Sequence, residues 1–600
     1  MKIHIIICSF GGVKLKISRI IIQNFRNLKN VDIHLNDTVA LIGENNSGKS
    51  NFLRAVTLPF LSDEIGSSEK NLSWLDINND AKKEYYSFII DKQDDIKNGT
   101  ITLEDCVSKM PIVAIEVHLV PNEKEKYFVK DLSFDIEGKQ IVYGLRYEFR
   151  PSKPEKIFDI IKNVVSKKVL NCEELAKIKM NLLPMEYYTY SIFVPNKNSI
   201  PYDILRLYKY TSLEAERDNF SKSRERIGSK ALVKLLQNGL TDEDKLNIEE
   251  NYTEFFNKLK SVSEIESIFN WQDESNLKDA KEFFSHISIL PNMPSMQSIL
   301  SSVRLGYSDA ELSMQGLGHR NLILLLVLIN SLVVKQRELA LNILTIEEPE
   351  AHLCINNIRL MVSFLKTFTY KNPSVQLFYS THSTEFINKM DLKNIVVLHN
   401  GQAFSFVDEL TDDNIDYLTK NPNLDLYKLF FSKKCILFEG ISEEMLIRAY
   451  IDSKHELSDI ELLSFHKGFT EIIKIWKKVN SGTNNKIGII RDYDNQPIAQ
   501  KNHDAFDDGI NICVRTTNEY TLEPEIIKTG NNYEILKNKY GKTFDWEDYS
   551  VEQMEKAWQE AKAIDMLTIC KDIAKGDMPN FKMPKHIQDV LDFLNSKETK

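Results

Sequence analysis

Apolar and polar residues begin to alternate at Lys14-Leu15-Lys16-Ile17-Ser18-Arg19-Ile20, which predicts a half-buried strand. Compact apolar runs follow at Val39–Ile42, Leu341–Ile346 and Val375–Tyr379. They are too short for ordinary helices and predict buried strands of a parallel sheet. An amphipathic stretch, Asn51–Val56, lies after the first run, and a strongly apolar helix is predicted from about Asn321 to Val333. Beyond Asp425 the pattern restarts, with strands at Cys435–Phe438 and Ile487–Ile490 and an amphipathic Met445–Ile447 between them. Strand followed by helix, repeated, predicts an α/β fold whose sites lie at the carboxyl ends of the strands.

The residues at those ends carry the chemistry. Gly43 to Ser50 read G-E-N-N-S-G-K-S, matching the phosphate-loop pattern G-x-x-x-x-G-K-[ST] between a strand and a helix. In that pattern Gly43, Asn45, Asn46, Ser47 and Gly48 cradle phosphates with main-chain N–H groups. Lys49 reaches the β/γ-phosphates, and the Ser50 hydroxyl ligates Mg²⁺. ATP is the expected nucleotide. The Leu341–Ile346 run delivers Glu347-Glu348-Pro349-Glu350, an acidic strand end that assigns Glu347 to the metal shell and Glu348 to the attacking water. Val375–Ser380 ends at Thr381-His382-Ser383, placing His382 as a contact to the γ-phosphate. Leu312-Ser313-Met314-Gln315-Gly316-Leu317-Gly318-His319 precedes the apolar helix, so Ser313 and Gly316 are candidates to touch a γ-phosphate held by a second subunit.

Length and charge change this picture little. Six hundred residues allow two to four domains, and 42% hydrophobic content supports packed cores. A net charge of −10 does not advertise a nucleic-acid surface, though a local basic run, Lys222, Arg224, Arg226 and Lys230, is a candidate for phosphate contacts. Seven scattered cysteines give no zinc ribbon or disulfide framework and fit a reducing cytoplasm. No run is long and apolar enough to predict a membrane span. Residues 1–12 read as an N-terminal extension.

Taken together, the phosphate loop, the acidic strand end, the Ser313–Gly318 segment and the opening Asn24-Phe25-Arg26-Asn27 resemble the ABC-type ATPase heads of the SMC and RecF-like group. Roughly 265 residues separate loop from signature, so further structure must lie between. A helical insert at about 153–284, suited to dimer contacts or a plain elaboration of the lobe, is expected within an ATPase domain spanning 13–425. The second pattern, over 426–600, carries Glu439-Gly440-Ile441-Ser442-Glu443 after one strand and Asp492-Tyr493-Asp494 after another. Carboxylates gathered at one sheet edge call for hard cations. This pair of motifs resembles the Toprim fold of certain nucleases, topoisomerases and primases.

An ABC-type head followed by a Toprim domain resembles the OLD-family (overcoming lysogenization defect) nucleases, and most of all the larger subunit of Gabija antiphage systems. The resemblance implies an ATP-regulated endonuclease acting on duplex DNA. It implies Mg²⁺ or Mn²⁺ held by Glu439, Glu443, Asp492 and Asp494, with Glu519 or Glu523 as a further ligand. A C-terminal lysine near the scissile phosphate is implied as well: Lys582, with Lys575 and Lys585 as rivals. A homo-oligomer, dimer or tetramer, and a UvrD-like helicase partner complete the expectation. Two other readings stand beside it: an SMC/RecF-like repair clamp with a non-catalytic Toprim domain, and a primase or topoisomerase. The chain offers neither a DNA-gate tyrosine domain nor the cysteine spacing of a primase zinc module.

Overall fold

The computed structural model describes residues 15–62, 70–122, 125–136, 140–197, 199–213, 227–262, 294–307, 310–333, 339–372, 375–420, 424–430, 432–465 and 469–596. The N-terminal extension and Lys222, Arg224 and Arg226 of the basic run lie outside them. The opening alternation does form a strand, Lys16–Phe25. It pairs antiparallel with Leu28–His34 and Val113–Val120 in a six-stranded sheet.

Behind that sheet lies a seven-stranded one in which the three apolar runs sit side by side. The phosphate-loop strand Thr38–Gly43 pairs in parallel with Val375–Ser380, which pairs in parallel with Leu341–Glu347. All six positions from Leu341 to Ile346 are buried, and so are all six of Val375–Ser380. Burial on both faces explains why these strands read as apolar runs rather than alternations. The antiparallel strand Gln402–Ser405 closes one edge.

The expected helical insert at 153–284 is helical only in part. Tyr188–Phe193 joins the antiparallel sheet beside Gln140–Pro151, and Tyr208–Leu213 joins the parallel sheet beside Leu341–Glu347. Their β-branched and aromatic residues were masked by flanking charge. The helices Ile227–Gly239 and Asp242–Val262 follow, and 263–293 lies outside the described residues. The apolar helix spans Leu317–Val333, starting four residues before the predicted Asn321. Gly318 in its first turn passes so close to the His352 carbonyl that a Cβ would stand 2.4 Å from the oxygen.

The C-terminal part is a four-stranded, all-parallel sheet in the order Glu461–Ser464, Lys434–Phe438, Lys486–Arg491, Ile512–Thr516. One face packs on Lys585–Asn595, where a Cβ on Gly488 would collide with Val590. The other face shares a single apolar core with the N-terminal lobe: Ile42, Val397 and Phe406 are buried with Cys435, Leu437, Ile487 and Ile489. Among the described residues no helix is long and apolar enough to cross a membrane.

Candidate functional sites at two sheet edges

The phosphate loop is shaped by its sequence. Gly43 (φ +153°) lies against the Leu398 carbonyl, where a Cβ would come within 2.4 Å of the oxygen, and Gly48 (φ +114°) caps the helix Lys49–Thr57. Asn27 braces the loop from outside, its Nδ2 donating to the Ser47 carbonyl at 3.1 Å. Asn27 Oδ1 accepts from Asn51 at 2.8 Å. The Asn24–Asn27 motif therefore serves as a strut for the loop.

Lys49 is 7% exposed and its Nζ donates to the carbonyls of Gly43 and Glu44 at 2.9 and 2.8 Å. Burial lowers its pKa to about 8, against the pull of Glu348, Glu350 and Glu44. An ammonium held this way, with Ser50 exposed on the helix's first turn, is ready to exchange carbonyl partners for phosphate oxygens. Ser47 Oγ is buried and has no hydrogen-bond partner among the described residues.

The parallel register brings the other ATPase candidates to the same edge, with Glu347 opposite Ser380. Glu348 takes a left-handed backbone (φ +40°), and its N–H donates to the Ser380 carbonyl at 3.2 Å. His382 Nε2 lies 3.6 Å from Glu348 Oε1. Burial and then Lys49 lower the His382 pKa, so the ring is neutral near pH 7. Glu350, to which the sequence assigned no role, holds this group together. Its Oε1 accepts from Thr381 Oγ1 at 2.6 Å and from the His382 N–H at 2.8 Å. Gly316 is exposed with open space around its Cα, and Ser313 lies in a short 3-10 turn, Leu312–Met314.

The second edge gathers carboxylates. Glu439 follows one strand, and Glu443 is buried in the first turn of Ile441–Lys454, where Gly440 leaves room for its Oε2. Asp492 follows the neighbouring strand, and Asp494 turns back with φ +49°, its N–H donating to the Tyr520 carbonyl. Asp492 is pushed up to about 8 by burial, then by Glu443, Glu439, Glu523 and Asp494. Glu439 rises to about 7 through burial, opposed by Arg491 and reinforced by Asp494 and Glu443. Glu523, 2% exposed, receives the Thr521 hydroxyl at 3.0 Å. Five of the six expected carboxylates thus act on one another.

Glu519 does not join them. Lys528 holds its carboxylate at 2.8 Å and also reaches Glu555 at 3.1 Å. Glu523 thus faces the cluster, while Glu519 turns to a surface lysine. Glu525, unnoticed in the sequence, is buried and fixes the loop between them by accepting from the N–H groups of Asn518 and Glu519. Arg491 was also missed: 4% exposed, it lies 4.0 Å from Glu439, with its Nη1 2.9 Å from His503 Nδ1. Its place at the strand end just before Asp492 was the available signal.

An all-oxygen donor set suits Mg²⁺ or Mn²⁺. Among the described residues no three carboxylate, imidazole or thiol groups stand at ion-holding distance. The carboxylates are neighbours that repel, and a divalent cation is what would relieve that repulsion.

The two edges are joined. Glu44, inside the phosphate loop, accepts the Lys433 N–H at 3.2 Å, and its other oxygen lies 3.5 Å from Lys433 Nζ. Lys433 immediately precedes the strand that ends at Glu439.

Residues 15–387 match the family model described as an AAA ATPase domain. The chain belongs to this family. It is also similar to two curated proteins called Endonuclease GajA. The one from Bacillus cereus strain HuB5-5 is 22% identical over 503 residues, covering 74% of this chain and 68% of the relative. The one from strain VD045 is 24% identical over 448 residues, covering 73% and 68%. Similar solved structures include the SMC head domain from Thermotoga maritima, with a TM-score of 0.26 at 12% identity over 65% of this chain and 98% of that one. A Pyrococcus furiosus Smc head bound to the C-terminal domain of ScpA gives 0.32 at 11% over 68% and 100%.

Proposed function

We propose that this AAA ATPase is an ATP-regulated, divalent-cation-dependent endonuclease that cuts duplex DNA, with its carboxylate edge in a Toprim-type domain. The observation that carries the reading is the gathering of Glu439, Glu443, Asp494 and Glu523 around Asp492 at one parallel-sheet edge, where each of the four raises the proton affinity of Asp492. Structural carboxylates are seldom stacked against one another without cations. Similarity to proteins called endonucleases supports the same reading, and so does the antiphage setting of the Gabija resemblance.

Those five residues would hold Mg²⁺ or Mn²⁺, which when bound supplies the positive charge that makes water nucleophilic at neutral pH. Arg491, 4.0 Å from Glu439, partly offsets its charge. Lys582 stands as the cation opposite the scissile phosphate. ATP bound at Lys49, Ser50 and Glu347, with Glu348 and His382 at the γ-phosphate, would set the conformation of paired subunits. Ser313 and Gly316 would meet the nucleotide of a second copy. The loop's state would reach the carboxylates through Glu44, Lys433 and the core around Ile42. A UvrD-like helicase is the proposed partner.

The test is incubation of the protein with supercoiled plasmid. Nicking that requires Mg²⁺ or Mn²⁺ and stops on chelation is expected. No cleavage at any ATP level, with or without a neighbouring-gene helicase, favours the repair-clamp reading.

A further inference from the structure

Three lysines of the C-terminal region compete for the place beside the phosphate. Lys575 caps the long helix Val551–Ala574, and Lys585 opens Lys585–Asn595; both are exposed. Lys582 differs from both because its main chain is held on two sides by one side chain. Asn532, fully buried, accepts the Lys582 N–H at 2.9 Å through Oδ1 and donates through Nδ2 to the Lys582 carbonyl at 2.8 Å. The same Nδ2 donates to the Ile526 carbonyl at 3.0 Å. Ile526 lies one turn after Glu523 on the helix Leu522–Lys528.

A buried amide satisfied three ways ties the Lys582 peptide to the helix that brings Glu523 to the carboxylates, and each bond lost would leave a buried polar group unmade. The stem of Lys582 is guided too. Gly530 has φ +60°, and a Cβ there would lie 2.6 Å from Lys582 Cδ and 3.5 Å from Cγ and Cε. The aliphatic stem therefore runs over a bare glycine. Among the described residues no acceptor takes the Lys582 ammonium. A long side chain with its main chain pinned, its stem guided and its head unused is pre-organised for an anion outside the chain.

We propose that Asn532 and Gly530 are positioning residues that hold Lys582, rather than Lys575 or Lys585, for a DNA phosphate at the carboxylate edge; this rests on the nuclease reading above. The experiment is a double-mutant cycle on plasmid cleavage by the full chain with Mn²⁺, reading kcat and KM separately. Gly530→Ala pushes the lysine stem aside while leaving the Asn532 hydrogen bonds in place. It should lower kcat roughly 10- to 100-fold with KM for DNA little changed. In a Lys582→Ala background the same substitution should have almost no further effect. Asn532→Ala, checked for unchanged ATP binding and melting of the ATPase lobe, should behave likewise, while Lys575→Ala and Lys585→Ala should cut normally.

Multiplicative losses from Gly530→Ala and Lys582→Ala would show a general structural effect and overturn the proposal. Wild-type cleavage in Gly530→Ala alongside a crippled Lys582→Ala would overturn it and leave the nuclease reading standing. Wild-type cleavage in Lys582→Ala would remove the lysine itself. The nuclease reading is decided separately, by whether cleavage needs Glu439.

Discussion

Replacing Asp492 with Asn should stabilise the protein in the absence of divalent cations. The folded state raises the Asp492 pKa from an ordinary 3.8 to about 8, chiefly by burial and then by Glu443 and Glu439. Between those values the folded protein binds more protons than the unfolded chain. Its stability therefore falls as pH rises through that window, the reverse of the usual salt-bridged aspartate. At about 1.4 kcal/mol per unit, the linkage reaches roughly 4 kcal/mol at pH 7. The repulsion is shared with Glu439, Glu443, Asp494 and Glu523, so deleting one charge should return about 1–3 kcal/mol, or a few degrees of melting temperature. The assay is thermal melting in chelator from pH 5 to pH 8.5. Wild type should lose stability toward high pH and regain it with Mn²⁺. Asp492→Asn should melt higher than wild type at pH 8, show a flatter pH dependence, and respond less to Mn²⁺. A variant melting at or below wild type in chelator at pH 8 would refute the repulsion on which the cation argument stands.

Other outcomes follow from the ATP edge. Lys49→Ala removes the buried ammonium aimed at the phosphates and should weaken ATP binding at least tenfold by calorimetry. Glu348→Gln should keep ATP bound but slow turnover by one to several orders of magnitude, because an amide is a poor acceptor for the water's proton; unchanged turnover would move that role to another residue. Glu44→Ala cuts the contact between the phosphate loop and Lys433. It should leave cleavage without nucleotide intact while reducing the response of cleavage to ATP, and a full ATP response in this variant would place the coupling elsewhere.

What the sequence disclosed depended on how local each signal was. The phosphate loop and the Glu347–Glu350 strand end were legible because a few contiguous residues set both backbone and chemistry. The strands flanking them were legible because double-sided burial writes an apolar run. Tyr188–Phe193 and Tyr208–Leu213 were not, because their place depends on partners far away in the chain, Gln140–Pro151 and Leu341–Glu347. At the carboxylate edge, E-G-x-x-E and D-x-D announced themselves, but nothing in the spacing showed that Lys528 pairs with Glu519 while Glu523 lies beside Asp492. The same holds for Glu350, Arg491 and Asn532. Each acts through a hydrogen bond or close approach to an element elsewhere in the chain, and no spacing in the sequence encodes it.

The central claim is that phosphodiester cleavage belongs to the carboxylate edge and not to the ATP edge. The most direct measurement is the plasmid cleavage rate of Glu439→Ala beside wild type, with Mn²⁺ and with ATP binding confirmed in both. Glu439→Ala should bind ATP as wild type does and lose cleavage by several orders of magnitude, as expected when activation of water is lost. Cleavage by Glu439→Ala at the wild-type rate would contradict it.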